Sequence, residues 1–117
     1  MWQPITIHEL LSEMFNGEKK LDNEHLKFWR LIRIEPEKWQ EKEFGGKGGG
    51  FWVIAICGKE IVWYNDIEDG FNISSYSKYG EIENYTCDQY DLNHVVYQLY
   101  NIKSSDRITT GKPEPLE

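Results

Sequence analysis

The sequence predicts an α+β domain in which two N-terminal helices and one C-terminal helix pack on an antiparallel β-meander of four to five strands. Three observations support this prediction. Capped amphipathic helix patterns occupy the first part of the chain, residues 51–65 have the pattern of a hairpin that is apolar on both faces, and another amphipathic pattern follows residue 86. Helices placed before and after a run of hairpin-connected strands are typical of the α+β class.

The two N-terminal helices are predicted from their start signals. Thr6 and Glu9 have the T-x-x-E spacing of a capping box, in which each side chain accepts a hydrogen bond from the backbone N–H of the other residue. The second helix spans about Glu24 to Ile32, behind a cap at Asp22 or Asn23. Apolar residues recur with helical spacing in both segments, so each helix should bury one face.

The segments FWVIAIC and EIVWYN predict two central strands. Gly58 and Lys59 separate them, and a two-residue connection that begins with Gly is typical of a type II′ hairpin turn. This turn pairs Cys57 with Glu60, and strict alternation then gives two apolar faces. The bulkier face consists of Trp52, Ile54, Ile56, Ile61 and Trp63, and the smaller face of Val53, Ala55, Cys57, Val62 and Tyr64. We expect the helices to cover the bulkier face.

The flanks of this hairpin are less strongly patterned. The segment Ile34–Glu43 fits either a short strand beside the sheet or an extended connection. A second hairpin is predicted from GFNISS and EIENYT, with Asn72 and Ser74 on a face turned to water, which indicates an outer position in the sheet. The C-terminal helix is expected to begin at a second capping box formed by Thr86 and Gln89.

Residues 1–102 are predicted to form a single domain, and residues 103–117 a disordered C-terminal tail. A chain of 13.9 kDa has room for one hydrophobic core. After residue 102 the composition changes to KSSDRITTGKPEPLE, which has too few apolar side chains to offset the entropy cost of ordering. The final pair, Leu116 and Glu117, has the form of an expression-vector remnant.

Composition and charge exclude several function classes. The formal net charge is −7, whereas a nucleic-acid binder clusters Lys and Arg to displace the counterions of phosphates. The chain has no apolar run long enough for a transmembrane helix, and its first residues lack the basic and apolar regions of a secretory signal. Its two cysteines do not suggest a disulfide framework. We therefore expect a cytoplasmic protein that binds neither nucleic acid nor membrane.

Motifs for cofactors, metals and catalysis fail in their context. Residues 45–50, GGKGGG, lack the Ser or Thr and the helix that follow a phosphate-binding loop, although this loop could still border a binding surface. The stretch NDIEDG lacks the alternating oxygen ligands of a calcium loop. His8, His25 and His94 lie on three different predicted helices, and no Cys or His spacing prepares a transition-metal site. We expect no cofactor, no metal and no catalytic residue, which favours a non-enzyme.

The acidic charge and the abundant tyrosines favour a small interaction module, of the adaptor or immunity type, that binds a basic protein partner. Tyrosines set among charged side chains are typical of protein-recognition surfaces. The residues predicted to line this surface are Tyr76, Tyr79, Glu81, Glu83 and Tyr85, together with the acidic turn residues Asp66, Glu68 and Asp69.

The alternative is a small ligand-binding or enzymatic domain. Its pocket would lie on the smaller face of the central hairpin, around Ala55, Val62 and Tyr64, where small side chains leave room for a ligand. The GGKGGG loop would then act as a lid over this pocket.

Three segments, WQPIT, VWYNDIEDGFNIS and CDQYDLNHVVYQL, resemble a family of short, uncharacterised bacterial proteins. The similar features are a hairpin that ends in the acidic turn EDGFN, residues 68–72, and a closing helix that starts at the pair DQ, residues 88–89. The resemblance covers most of residues 2–100, whereas the Gly-rich loop and the tail are particular to this chain. It implies no activity, cofactor or catalytic residue.

Overall fold

The computed structural model describes residues 3–44 and 49–110, and of residues 104–110 only the helical backbone. It has the predicted α+β fold, with three helices and a four-stranded antiparallel sheet in the order β1-β2-β3-β4. The elements in chain order are α1 (Ile7–Glu18), α2 (Asn23–Ile32), β1 (Arg33–Trp39), β2 (Phe51–Cys57), β3 (Glu60–Asn65), β4 (Gly70–Ser75) and α3 (Leu92–Thr110).

Both predicted N-terminal caps form. The backbone N–H of Glu9 donates to the Thr6 hydroxyl at 3.1 Å, and the N–H of Thr6 donates to the Glu9 carboxylate at 3.0 Å. At the start of α2 the Asp22 carboxylate accepts from the N–H of His25 at 2.9 Å. Each cap satisfies backbone donors that the first turn of a helix leaves unpaired, which fixes where the helix begins.

The helices are tied together through buried and half-buried side chains. Glu18, at the end of α1, accepts a hydrogen bond from the indole N–H of Trp29 at 2.7 Å and from Arg33 at 2.6 Å. Gly17 lets α3 approach α1 closely, because a Cβ at this position would lie 2.5 Å from the Cβ of Leu92. All three helices pack on the same face of the sheet.

The central hairpin has the predicted register at its turn, with Cys57 opposite Glu60. The open question of residues 34–43 is settled, because the chain is a strand as far as Trp39 and β1 pairs with β2 at the edge of the sheet. One feature of β2 escapes the sequence pattern. Its pairing with β3 passes from Val53–Trp63 directly to Ala55–Val62, so one extra residue, Ile54, bulges out of the ladder.

The prediction that the helices cover the bulkier face is wrong. Because the bulge reverses the alternation along β2, the helices pack on Ile54, Ala55, Val62 and Tyr64. The opposite face carries a second apolar cluster formed by Trp39, Phe51, Val53, Ile61, Trp63 and Ile82. Both faces of the β2–β3 pair are therefore buried, and the rings of Phe51 and Trp63 lie on the side away from the helices.

Residues 76–91, here called the crossing segment, cover this second face. The second predicted hairpin is wrong, because EIENYT does not pair along β4 but leaves it and reaches the far edge of the sheet. There the N–H of Ile82 donates to the carbonyl of Gln40 at 2.8 Å, and the N–H of Gln40 donates to the carbonyl of Gly80 at 2.9 Å. The segment then returns to β4, where Phe71 donates to the carbonyl of Tyr90 at 2.9 Å. Burying the apolar face of β2 and β3 therefore contributes more to stability than continued pairing with β4 would.

Polar side chains of the strands hold the crossing segment in place. The Asn72 carboxamide accepts from the N–H of Asp88 at 2.8 Å and donates to the Asp88 carbonyl at 2.9 Å. Asn65 donates to the Thr86 carbonyl at 2.9 Å, and Ser74 to the Asn84 carbonyl at 2.8 Å. Asn72 and Ser74 are thus buried, not turned to water as predicted.

The C-terminal helix starts later and extends further than the sequence indicates. The capping box of Thr86 and Gln89 is wrong, since both residues lie in the extended crossing segment and α3 begins at Leu92. The helix continues past the predicted domain boundary at residue 102 to Thr110, and Lys103 pairs with Glu60 at 2.7 Å. Residues 45–48 of the Gly-rich loop and residues 111–117, with Leu116 and Glu117, lie outside the described residues.

We expect Trp63→Ala to lower the free energy of unfolding by about 3–5 kcal/mol, because it removes a fully buried indole and leaves a cavity. The indole N–H also donates to Ser74 at 2.9 Å. Urea denaturation measures the loss, and Leu31→Ala is the control, because Leu31 is 85% exposed. A loss below about 1 kcal/mol for Trp63→Ala would contradict the second core.

Asn72→Ala should lower the free energy of unfolding by about 1–3 kcal/mol, because it leaves buried backbone groups of the crossing segment without their partners. Amide hydrogen exchange measured by NMR should accelerate at Asp88 while exchange in β2 stays slow. The exposed Asn101→Ala serves as the matched control. Unchanged exchange at Asp88 would show that Asn72 does not hold the segment.

Candidate functional site

The residues predicted from the sequence to bind a partner do not form one surface. Tyr79 is 61% exposed and packs on Trp39 with ring centroids 4.8 Å apart. Its hydroxyl donates to the Glu37 carboxylate at 2.5 Å, and this hydrogen bond raises the pKa of Tyr79. Glu81 and Glu83 line a nearby groove. These three residues mark one candidate surface, at the end of β1.

This first groove has a volume of about 390 Å³ and carries charges of both signs. Glu81 lies 3.5 Å from Lys78, and Lys42 also lines the groove. Basic side chains within the groove therefore offset much of its acidic charge, which weakens its attraction for a basic partner.

Two of the predicted tyrosines serve mainly in packing. Tyr76 lies edge-on against Trp39, with centroids 5.2 Å apart. Tyr85 packs against Trp63 in the second apolar cluster, and its hydroxyl accepts from Asn65 at 3.0 Å. Burial raises the pKa of Tyr85, and the nearby carboxylate of Glu68 acts in the same direction.

Three predicted residues remain, and two of them, Asp66 and Asp69, line a second groove of about 570 Å³, here called the acidic groove. The third, Glu68, does not line it. The acidic groove lies between α1, residues 3–5, the end of β3 and the turn that leads to β4. The charged side chains among the described residues that line it are all acids. The lining residues are Gln3, Pro4, Ile5, Glu9, Ser12, Glu13, Tyr64, Asp66 and Asp69.

Local structure fixes each wall of the acidic groove. Glu9 is held by the capping box of α1, and Glu13 follows one turn later on the same side of that helix. Asp66 accepts from the N–H of Ile5 at 2.7 Å, which ties the N-terminal segment to the end of β3. Asp69 has a left-handed backbone conformation, with φ 59°, that Asp adopts more readily than most residues.

Tyr64 forms the buried floor of the acidic groove. Only 6% of the residue is exposed, and its ring packs edge-on against Phe71 at 4.9 Å. Within the described residues its hydroxyl makes no hydrogen bond. Burial raises the pKa of Tyr64 to about 12, and the carboxylates of Asp69, Glu13, Asp66 and Glu9 act in the same direction.

The four carboxylates differ in how far they are already engaged. Glu9 accepts hydrogen bonds from the N–H and the hydroxyl of Thr6, which lower the pKa of Glu9. Asp66 accepts from Ile5. Glu13 and Asp69, in contrast, make no hydrogen bond or ion pair within the described part of the chain. These two acids, on opposite walls, are available to a cationic partner.

Sequence reasoning missed Glu9 and Glu13 as groove residues, and it named Tyr64 only as part of the alternative ligand pocket. Glu9 was assigned only as a cap, although the i, i+4 spacing of Glu9 and Glu13 places two acids on one side of a helix. In the alternative prediction of a ligand pocket, Ala55 and Val62 were to line it. Both are buried beneath the helices, and neither lines either groove.

In the described ranges, 3–44 and 49–110, no group of three or more His, Cys, Asp and Glu side chains is placed to hold a metal ion. Nor does any described helix have the length and apolar character needed to cross a membrane. Cys57 is half-buried, and burial raises the pKa of its thiol.

The chain matches no protein-family model, no curated protein and no solved structure.

We expect Tyr64 to stay protonated at about pH 11, where an ordinary tyrosine is largely ionised. Because the folded state favours the neutral phenol, this contribution to stability is complete below pH 10.0 and is lost as the pH rises towards about 12. Tyrosine Cζ chemical shifts measured by NMR against pH report the midpoint, and Tyr64→Phe assigns the signal. Glu13→Gln with Asp69→Asn should lower the midpoint, and a wild-type midpoint near 10.0 would contradict the geometry.

Proposed function

We propose that this protein is a small acidic, non-enzymatic module that binds a basic protein partner through the acidic groove. The observation that supports this proposal is the composition of the groove, where Glu9, Glu13, Asp66 and Asp69 meet. Like charges held close together repel one another, and a bound cation relieves that repulsion. The groove is therefore complementary to a lysine or arginine side chain.

The charge of the whole chain supports the same partner. A net charge of −7 creates a field that attracts basic proteins, and such steering accelerates association at low ionic strength. The same field repels the phosphates of nucleic acids, so we propose a protein and not a nucleic acid as the partner. Two cysteines without a disulfide agree with a cytoplasmic location, which is part of this proposal.

A small-molecule site is a weaker proposal for the same groove. Its volume of about 570 Å³ falls within the range of ligand pockets, but such pockets are lined mainly by apolar and aromatic side chains. Here the apolar residues of the described lining are Pro4 and Ile5. A groove lined mainly by carboxylates and amides fits the charged end of a protein side chain better.

Binding of short basic peptides tests the proposal. We expect peptides rich in Lys and Arg to shift the backbone amide NMR signals of residues 9–13 and 64–70, with an affinity that falls as salt is added. Glu13→Gln with Asp69→Asn should weaken binding about tenfold, which corresponds to about 1.4 kcal/mol in isothermal titration calorimetry.

Glu81→Gln with Glu83→Gln is the matched control, because it removes the same number of charges from the first groove. This control should leave binding nearly unchanged. Equal losses in both double variants would show that only the net charge matters. Shifts centred on residues 76–85 would contradict the proposal for the acidic groove and place the site on the surface at the end of β1.

A further inference from the structure

Tyr64 distinguishes the acidic groove from an ordinary cluster of acids. More than nine-tenths of this residue is buried, yet it lines the groove, and its ring packs inward against Phe71. The part that reaches the groove is therefore the hydroxyl, which makes no hydrogen bond within the described residues. Its donor and its acceptor positions are therefore open to a polar group that enters the groove.

We infer that the acidic groove receives the guanidinium group of an arginine side chain, bound between Glu13 and Asp69 and hydrogen-bonded to the Tyr64 hydroxyl. This inference rests on the proposed function and narrows it to one kind of side chain. The partner is accordingly a protein or peptide that presents an exposed arginine.

The arrangement of acceptors favours guanidinium over ammonium. Glu13 lies on α1 and Asp69 on the turn before β4, so the two available carboxylates face the groove from different elements. Guanidinium has five N–H donors in a rigid plane and can bond acceptors on several sides at once. The ammonium of lysine carries its three donors on a single nitrogen. It therefore reaches acceptors on two separate elements less well than guanidinium does.

The buried floor favours guanidinium as well. Guanidinium is more weakly hydrated than ammonium, so less free energy is lost when water is removed from it beside Tyr64. The Tyr64 oxygen can accept one N–H of the guanidinium while its own O–H donates to a neighbouring carboxylate. Pro4 and Ile5 provide apolar contact for the methylene groups of the arginine stem.

Basic peptides that differ in one respect test this inference. Three peptides of equal length are compared by isothermal titration calorimetry, with every cationic position occupied by arginine, by lysine or by the neutral citrulline. We expect the arginine peptide to bind about tenfold tighter than the lysine peptide, and the citrulline peptide not to bind. Tyr64→Phe should weaken binding of the arginine peptide more than binding of the lysine peptide and so remove most of the preference for arginine.

The outcomes separate this inference from the proposed function. If no peptide binds, the proposed function fails. If arginine and lysine peptides bind equally and Glu13→Gln with Asp69→Asn weakens both, the basic-partner proposal stands and the arginine inference is wrong. Thermal melting confirms that each variant is folded, and Asp69→Asn alone gives a second test because Asn tolerates the left-handed backbone at this position.

Discussion

The rest of the fold depends on one constraint, which is that the β2–β3 pair is apolar on both faces. Three helices cover one face, and the described residues between β1 and α3 contain no further helix that could cover the other. The rings of Phe51 and Trp63 must still be removed from water, because burying each such ring contributes several kcal/mol. The crossing segment meets this need, and isolated bridges hold it at both edges of the sheet, Glu81 with Gln40 and Tyr90 with Phe71.

The crossing segment is irregular, so its backbone N–H and C=O groups lose contact with water without pairing to a neighbouring strand. These groups need other hydrogen-bond partners. Asn65, Asn72 and Ser74 supply the missing hydrogen bonds from the strand side. Gly70 contributes by having no side chain, because a Cβ there would collide with the backbone of Gln89. These three polar residues of β3 and β4 are therefore parts of a buried network and not signs of a solvent-exposed face.

The signals that the sequence predicts correctly are local, and those that it misses are not. The caps at Thr6 and Asp22 and the turn at Gly58 depend on residues a few positions apart, and all three form. The bulge at Ile54 reverses the alternation of side chains along β2 and so changes which residues the helices cover. No residue near Ile54 in the sequence signals this bulge. The sequence predicts two residues of the acidic groove, Asp66 and Asp69. It misses the acids of the other wall because they belong to α1, which is far away in the sequence.

The walls of the acidic groove combine two kinds of acid with different roles in the fold. Glu9 and Asp66 accept hydrogen bonds from the backbone N–H groups of Thr6 and Ile5. Both carboxylates therefore have a role in stabilising the fold. Glu13 and Asp69 hold nothing within the described residues, yet they stand beside the first pair and add repulsion to it. A surface position far from other charges would cost less. Under the proposed function a bound cation offsets this repulsion, and the unengaged pair, Glu13 and Asp69, is the part of the groove on which that proposal rests.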